Sequence, residues 1–263
     1  MKRKEFIVVL DSGIGGISLL YNCHKKLPQE NFLYYGDIAF APYGDKTKEQ
    51  VAERVMEKAE EFFQNGCKAL VLACNTATSA VARQLRQKWP DKPIIGLEPA
   101  LKPAVEAYPQ RDILVLATAL TIQEDKFQNL YEPLKEQAHI IPMPCPGLMN
   151  LIEEERPKEE IVQYLEAKVA PFVRTQEPVF VIGCTHYIFL QPILKQLWPA
   201  SILIHGNTGA ANYLVKQLTE KDLLQESGSK ETTGSIIFSA SAKEDAFREK
   251  CGRFWRRMEE EEM

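Results

Sequence analysis

The sequence predicts an α/β protein of two pseudo-symmetric domains, each a doubly wound parallel sheet, with the carboxyl ends of the two sheets turned toward each other. Three observations carry this. Short unbroken apolar runs alternate with stretches of helical periodicity, as in β-α repeats whose strands are covered on both faces. The run order of the first half returns in the second, each counterpart about 106 to 110 residues downstream. A cysteine closes the equivalent run in both halves, at Cys74 and at Cys184. The expected boundaries are 1–98 plus 210–263 for the first domain and 99–209 for the second.

Phe6 to Leu10 is the first apolar run, and Asp11-Ser12-Gly13-Ile14-Gly15-Gly16 follows at once. Its glycines allow a tight turn and close approach to a ligand, while Asp11 and Ser12 fall at the carboxyl end of the strand, where open parallel sheets bind ligands. The Gly-x-Gly-Gly spacing is not a dinucleotide fingerprint. Asn31 to Tyr35 is the second strand, ending at Gly36-Asp37, and Pro42-Tyr43-Gly44 signals a turn. Lys48 to Phe63 carries Val51, Val55, Ala59 and Phe62 at helical spacing, so its Glu and Lys residues read as a solvated face. Leu70 to Ala73 is a strand that stops at Cys74, with Asn75, Thr76, Thr78 and Ser79 directly behind it. Those polar groups are expected to cap a helix over Ala80 to Trp89, whose free N–H groups would suit a carboxylate. Pro93 to Leu97 is the fourth strand.

From Asp112 the pattern begins again. Ile113 to Ala117 ends in Thr118-Ala119-Leu120-Thr121, and His139 to Pro142 leads to Pro144-Cys145-Pro146-Gly147. Val179 to Gly183 then delivers Cys184-Thr185-His186, and Ile202 to Ile204 closes the second half. A helix is expected over Gly209 to Leu218, and Ser235 to Ser239 is expected to return as a strand to the first sheet. Gln225 to Gly234 reads as a polar loop, and Glu259 to Glu262 as a solvated acidic tail.

With 45% apolar and 26% charged residues the chain has an ordinary globular composition, and a net charge of −4 argues against a nucleic-acid surface or a membrane-binding face. The basic start at Lys2, Arg3 and Lys4 precedes an apolar run too short for a signal peptide, and no stretch is long enough to span a bilayer. Six scattered cysteines without a CxxC pair are expected to be free thiols of a cytoplasmic protein rather than disulfides or a metal cage.

A free cysteine is most often a small buried hydrophobe, and Cys23, Cys67 and Cys251 read that way. The matched pair Cys74 and Cys184, each followed by hydrogen-bonding side chains, reads differently. Two thiols on opposite faces of one carbon suit removal of a proton by one and delivery by the other, which inverts a stereocentre. A thiol pKa of about 8.5 lets one group serve as base and the other as acid. The hydrogen on the α-carbon of an amino acid is very weakly acidic, so donors must surround the carboxylate as charge develops on it. Asn75, Thr76, Thr118, Thr121 and Thr185 supply them. Asp11 is placed to bind the ammonium or assist Cys74, and His186 to assist Cys184.

Together Asp11-Ser12-Gly13-x-Gly15-Gly16, Tyr35-Gly36-Asp37 with Pro42-Tyr43-Gly44, Ala73-Cys74-Asn75-Thr76-Ala77, Cys145-Pro146 with Glu153, and Gly183-Cys184-Thr185-His186-Tyr187 resemble the glutamate racemases of the cofactor-independent aspartate/glutamate racemase superfamily. The resemblance implies two α/β domains with the active site between them, no pyridoxal phosphate, no metal, and supply of D-glutamate to bacterial peptidoglycan. It implies that Cys74 is the base toward D-glutamate and Cys184 toward L-glutamate, with Asp11, Asp37, Glu153 and His186 assisting. Ser12 and the Pro42-Tyr43-Gly44 backbone would hold the side-chain carboxylate; Asn75, Thr76, Thr118 and Thr185 would hold the α-carboxylate. Members often dimerise, so a homodimer is open to this chain. Two positions depart from the usual pattern: Glu124 stands where the family has Ser, and His205 where it has Asp.

Other readings stay open at this level. A racemase of aspartate or another acidic amino acid would share every motif. A thiol hydrolase would use Cys184 and His186 as nucleophile and base, and a two-lobed binding protein would use the crevice without chemistry.

Overall fold

The computed structural model describes residues 5–174, 177–225 and 233–261; most of the polar loop expected at 225–234, and Glu262 of the acidic tail, lie outside them. The chain divides into two compact units, residues 1–97 with 207–263, and residues 98–206.

Unit one contains β1 (Phe6–Asp11), α1 (Ile17–Lys26), β2 (Phe32–Gly36), α2 (Lys48–Gln64), β3 (Cys67–Leu72), α3 (Asn75–Lys88) and β4 (Ile94–Gly96). Unit two contains α4 (Leu101–Ala107), β5 (Ile113–Ala117), α5 (Ala119–Gln123), α6 (Asp125–Tyr131), β6 (Ile140–Pro144), α7 (Leu148–Glu153), α8 (Lys158–Lys168), β7 (Val179–Gly183), α9 (Gln191–Leu197) and β8 (Ile202–Ile204). The chain then returns to unit one with α10 (Asn207–Glu220), β9 (Ile236–Ala240) and α11 (Glu244–Glu261).

The first sheet runs β4-β3-β1-β2-β9 and the second β8-β7-β5-β6, with parallel pairing throughout. Strand for strand the second order repeats the first four strands of unit one. The registers agree as well: Val9 sits beside Val71, and Val115 beside Val181. The strand expected at 235–239 does return to the first sheet, pairing with β2 along its whole length.

Both faces of the central strands are covered, which is why they read as unbroken apolar runs. In unit one Val8, Leu10, Leu70 and Leu72 join Val51, Val55, Ala59 and Phe62 of α2 and Val81 and Leu85 of α3 in one core. The alternate residues, Ile7, Val9, Ala69 and Val71, are equally buried on the opposite face. α1 packs against α10, α11 and β2, while α11 lies on β9 and α10 on β4. Helix α11 buries Phe247, Cys251, Phe254 and Met258 along one stripe. In unit two Ile113, Val115, Val179 and Val181 pack with Leu101, Val105 and Phe127 of α4 and α6.

One helix begins earlier than its sequence suggested. α3 starts at Asn75 rather than Ala80, with Cys74 itself at the N-cap and no side-chain cap bond. Asn75, Thr76 and Thr78 therefore lie inside the first turn, where backbone pairing of Thr78 N–H to the Cys74 carbonyl at 2.9 Å already closes the helix. The polar side chains are left for other partners.

Candidate active site

In a β2-β1-β3-β4 order the strand sequence reverses between β1 and β3, and the crevice beyond their carboxyl ends is where such sheets receive ligands. Unit one sets Asp11 and Cys74 at that point. The Ala73 N–H donates to the Leu10 carbonyl at 2.9 Å, and the Asp37 N–H to the Asp11 carbonyl at 2.9 Å, so three strand ends are tied together. Gly16 permits this closeness: a Cβ there would lie 2.7 Å from the Ala73 Cβ and 2.9 Å from the Asp11 Cβ.

Asp11 is fully buried, and its Oδ1 accepts the Gly13 N–H at 2.9 Å. Tyr34 donates its hydroxyl to the Gly13 carbonyl at 2.7 Å, which holds the glycine turn from the neighbouring strand. Ser12 is buried beside Asp11 in the chain. Cys74 is 7% exposed and free of any disulfide. Next to it, Asn75 is 3% exposed, and its buried side-chain oxygen and nitrogen have no hydrogen-bond partner among the described residues. Burying such an amide unpaired costs about 1–3 kcal/mol, so the observation points to a polar ligand beside the thiol. Thr78 is fully engaged, donating to the Leu72 carbonyl at 3.2 Å and accepting the Leu97 N–H at 3.1 Å.

Asp37 has both of its oxygens engaged. Arg54 of α2 grips it with two bonds, Nε to Oδ2 and Nη2 to Oδ1, both 2.8 Å, and the Tyr43 hydroxyl donates to Oδ2 at 2.8 Å. Burial pushes the Asp37 carboxyl upward, but the bonds from Arg54, Tyr43 and Ser241 outweigh it and hold the group below the usual carboxylate range. Tyr43 is buried at the head of the short 3-10 turn Tyr43–Asp45, with Pro42 in extended conformation before it and Gly44 within it.

Unit two repeats the arrangement with other side chains. Thr118 follows β5 and caps α5: its Oγ1 accepts the Thr121 N–H at 3.2 Å and donates to the Thr121 hydroxyl at 2.9 Å. Cys184 follows β7 in the position that Cys74 takes after β3, again as an N-cap in extended conformation and again 7% exposed. Gly183 before it permits close packing on β5, since a Cβ there would lie 2.8 Å from the Ala117 Cβ and 3.0 Å from the Leu116 carbonyl oxygen. Behind Cys184 the 3-10 segment Thr185–Leu190 buries Thr185 and His186.

His186 links the thiol to a carboxylate. Its Nδ1 lies 3.9 Å from the Cys184 sulfur and its Nε2 2.8 Å from Oε2 of Glu153, which stands at the end of α7. Burial alone pulls the imidazolium down, but the bonds and charges of Cys184 and Glu153 win and raise its pKa well above the ordinary value. The carboxylate fixes Nε2 as a proton carrier, so Nδ1 faces the sulfur and can accept from the thiol or, as imidazolium, donate to the thiolate. Cys145 is not of this kind. Its thiol donates to the Met143 carbonyl at 3.4 Å, and burial, helped by the charge of Cys184, pushes its pKa up to about 12. Tyr187 donates to the Cys145 carbonyl at 2.9 Å, which anchors the 3-10 segment to the loop after β6.

Arg54 and Tyr34 are supporting residues that the sequence does not single out, while Thr78 and Tyr187, which stand in its motifs, take supporting roles that only the structure shows. Arg54 carried a signal, since it falls between the buried Val51 and Val55 on a helix whose charges were otherwise assigned to solvent. Among the described residues no group of three or more His, Cys, Asp or Glu is placed to hold a metal ion, and no helix is long and apolar enough to cross a membrane.

The glutamate racemase of Clostridium acetobutylicum is 41% identical to this chain over 240 residues, 91% of this chain and 93% of that protein. Among solved structures, glutamate racemase isoform RacE1 from Bacillus anthracis superposes with a TM-score of 0.80 at 27% identity, over 96% of this chain and 94% of that one. The Escherichia coli glutamate racemase, in complex with L-glutamate and the activator UDP-MurNAc-ala, superposes with a TM-score of 0.81 at 25% identity, over 97% and 95%. The profile of the Asp/Glu/Hydantoin racemase family matches residues 21–214, and the chain belongs to that family.

Proposed function

We propose that this chain interconverts L- and D-glutamate by two proton transfers at Cα, with Cys184 as the base toward L-glutamate and Cys74 as the base toward D-glutamate. The observation that carries the reading is the pair of free thiols at equivalent strand ends of two sheets with one strand order. One thiolate takes the Cα proton, leaving a carbanion whose charge spreads into the α-carboxylate, and the opposite thiol gives its proton to the other face. After turnover the two sulfurs have exchanged protonation states, so the reverse reaction uses the same parts.

The remaining residues follow from where charge sits. Asn75, Thr76 and Thr185 donate to the α-carboxylate as negative charge grows on it, and the hydrogen-bonded hydroxyls of Thr118 and Thr121 supply one donor between them; the amide of Asn75, unpaired among the described residues, is the strongest support for this role. Ser12 and the backbone N–H groups of Tyr43 and Gly44, with Pro42 setting the turn before them, receive the side-chain carboxylate. Asp11 meets the ammonium and assists Cys74, while His186, oriented by Glu153, assists Cys184. Asp37 acts through Tyr43 rather than on the substrate. This chemistry needs neither a metal nor pyridoxal phosphate. The product D-glutamate serves bacterial peptidoglycan synthesis.

In heavy water, D-glutamate newly made from L-glutamate should carry deuterium at Cα from the earliest times, while recovered L-glutamate stays unlabelled until reversal sets in. Extensive return of protium into D-glutamate would sink the two-base mechanism. A second reading draws on the Cys184, His186 and Glu153 chain, which has the connectivity of a thiol hydrolase. It predicts an acylated Cys184 with activated esters and leaves Cys74 and the unpaired Asn75 without a task.

A further inference from the structure

The buried bonds around Asp37 give Arg54 a task in substrate binding. Asp37 is completely buried and Tyr43 1% exposed. Arg54 approaches from α2, seventeen residues along the chain, and presents both Nε and Nη2 to the two carboxylate oxygens in the parallel fork geometry that fixes a carboxylate in position and in plane. Its third nitrogen reaches Glu57 at 3.4 Å and its guanidinium lies 6.0 Å from the Phe40 ring centre, so the side chain is held on several sides. α2 is itself set by the capping box between Thr47 and Gln50 and by its buried stripe. The chain of contact therefore runs from a rigid helix, through Arg54 and Asp37, to the hydroxyl of Tyr43, whose backbone opens the 3-10 turn with Gly44.

We propose that Arg54 is a positioning residue for the distal carboxylate of the substrate: by clamping Asp37, which holds the Tyr43 hydroxyl, it fixes the Tyr43–Asp45 turn in the geometry that receives that carboxylate. The proposal rests on the reading that the Pro42-Tyr43-Gly44 backbone takes the side-chain carboxylate of glutamate. Without the clamp the turn still exists, but its amides are no longer pre-set, and the cost falls on ligands that carry the distal carboxylate. Lysine offers a single point of charge instead of a fork, so it should restore only part of the effect.

The test compares wild type with Arg54→Gln, Arg54→Lys and Tyr43→Phe, using steady-state kinetics from both enantiomers and competition by norvaline, which matches glutamate up to the missing distal carboxylate. For Arg54→Gln the expected result is a rise in KM for glutamate of tenfold or more, kcat within threefold of wild type, and an unchanged inhibition constant for norvaline. Arg54→Lys should fall between that variant and wild type. Tyr43→Phe, which cuts only the hydroxyl link, should raise KM by about threefold to tenfold and keep the protein folded even if Arg54→Gln does not fold. A loss confined to kcat, an equal loss toward glutamate and norvaline, or no change in Arg54→Lys and Tyr43→Phe overturns the proposal. The underlying reading is checked apart from it in the wild type: the amide signals of Tyr43 and Gly44 should move in NMR titrations with glutamate and stay with norvaline. If they stay with both, the carboxylate reading is wrong whatever the Arg54 variants do.

Discussion

Glu153→Gln keeps the shape of the side chain and removes the charge that meets His186 Nε2 at 2.8 Å. The amide carbonyl still accepts a hydrogen bond, so what is lost is the charge-assisted part. A neutral hydrogen bond contributes about 0.5–1.5 kcal/mol and one to a charged group about 1.5–3, so the difference is about 1–1.5 kcal/mol, roughly tenfold in rate. Glu153 is 19% exposed against 1% for His186, so water screens part of the pair and the effect should not exceed that figure. The enantiomers have equal free energy in water, so kcat/KM must fall equally from L- and from D-glutamate. The asymmetry appears in isotope effects. If His186 supports Cys184, the Cys184 step becomes the slow one, and the effect of deuterium at Cα should grow from L-glutamate and shrink from D-glutamate. Initial rates followed by circular dichroism with protiated and deuterated substrates measure both. An unchanged kcat/KM, or the opposite isotope pattern, refutes the assignment of His186 and Glu153 to the L-side base. The pH dependence of stability gives an independent check. The folded His186 pKa is raised, so its stabilising contribution is complete below the ordinary value of about 6.5 and is lost as pH climbs through the raised value. Across that window the melting temperature of wild type should fall more than that of Glu153→Gln.

Three further outcomes follow from the packing around the thiols. Cys74→Ala and Cys184→Ala should each lower turnover by several orders of magnitude with little change in melting temperature, whereas Cys67→Ala, buried in the core, should keep turnover and lose about 1–2 kcal/mol in urea unfolding. Gly16→Ala forces a methyl against Ala73 and Asp11 and should cost about 1–3 kcal/mol with a fall in kcat; a stable, fully active variant would show that the strand ends are not held as tightly as their contacts indicate. Thr78→Val removes the hydroxyl shared by the Leu97 N–H and the Leu72 carbonyl, which still bond each other at 3.1 Å, so the loss should be about 0.5–1.5 kcal/mol by chemical denaturation, while a neutral result would mean that the direct backbone bond alone suffices.

The strand ends were legible because the physics of a parallel sheet writes them locally. Leu70 to Ala73 and Val179 to Ile182 are apolar without interruption since helices cover both faces, and the first residues able to meet a ligand are the ones where that cover ends, Cys74 and Cys184. The repeated succession of apolar runs along the chain was legible for the same reason. The beginning of α3 was not: Asn75, Thr76 and Thr78 look like caps to any local reading, and only the backbone bond from Thr78 to Cys74 shows that the helix has already started, which leaves the Asn75 amide unpaired. Partners of charged groups were beyond reach for a deeper reason. Asp37 reads as one more acid at a strand end, yet Arg54 and Tyr43 consume its oxygens; His186 reads as a lone base, yet Glu153, thirty-three residues earlier, sets which nitrogen faces the sulfur. Burial of apolar surface is recorded residue by residue along the chain, whereas the pairing of charges depends on which helix the fold lays beside which strand, and that is decided only when the tertiary structure is complete.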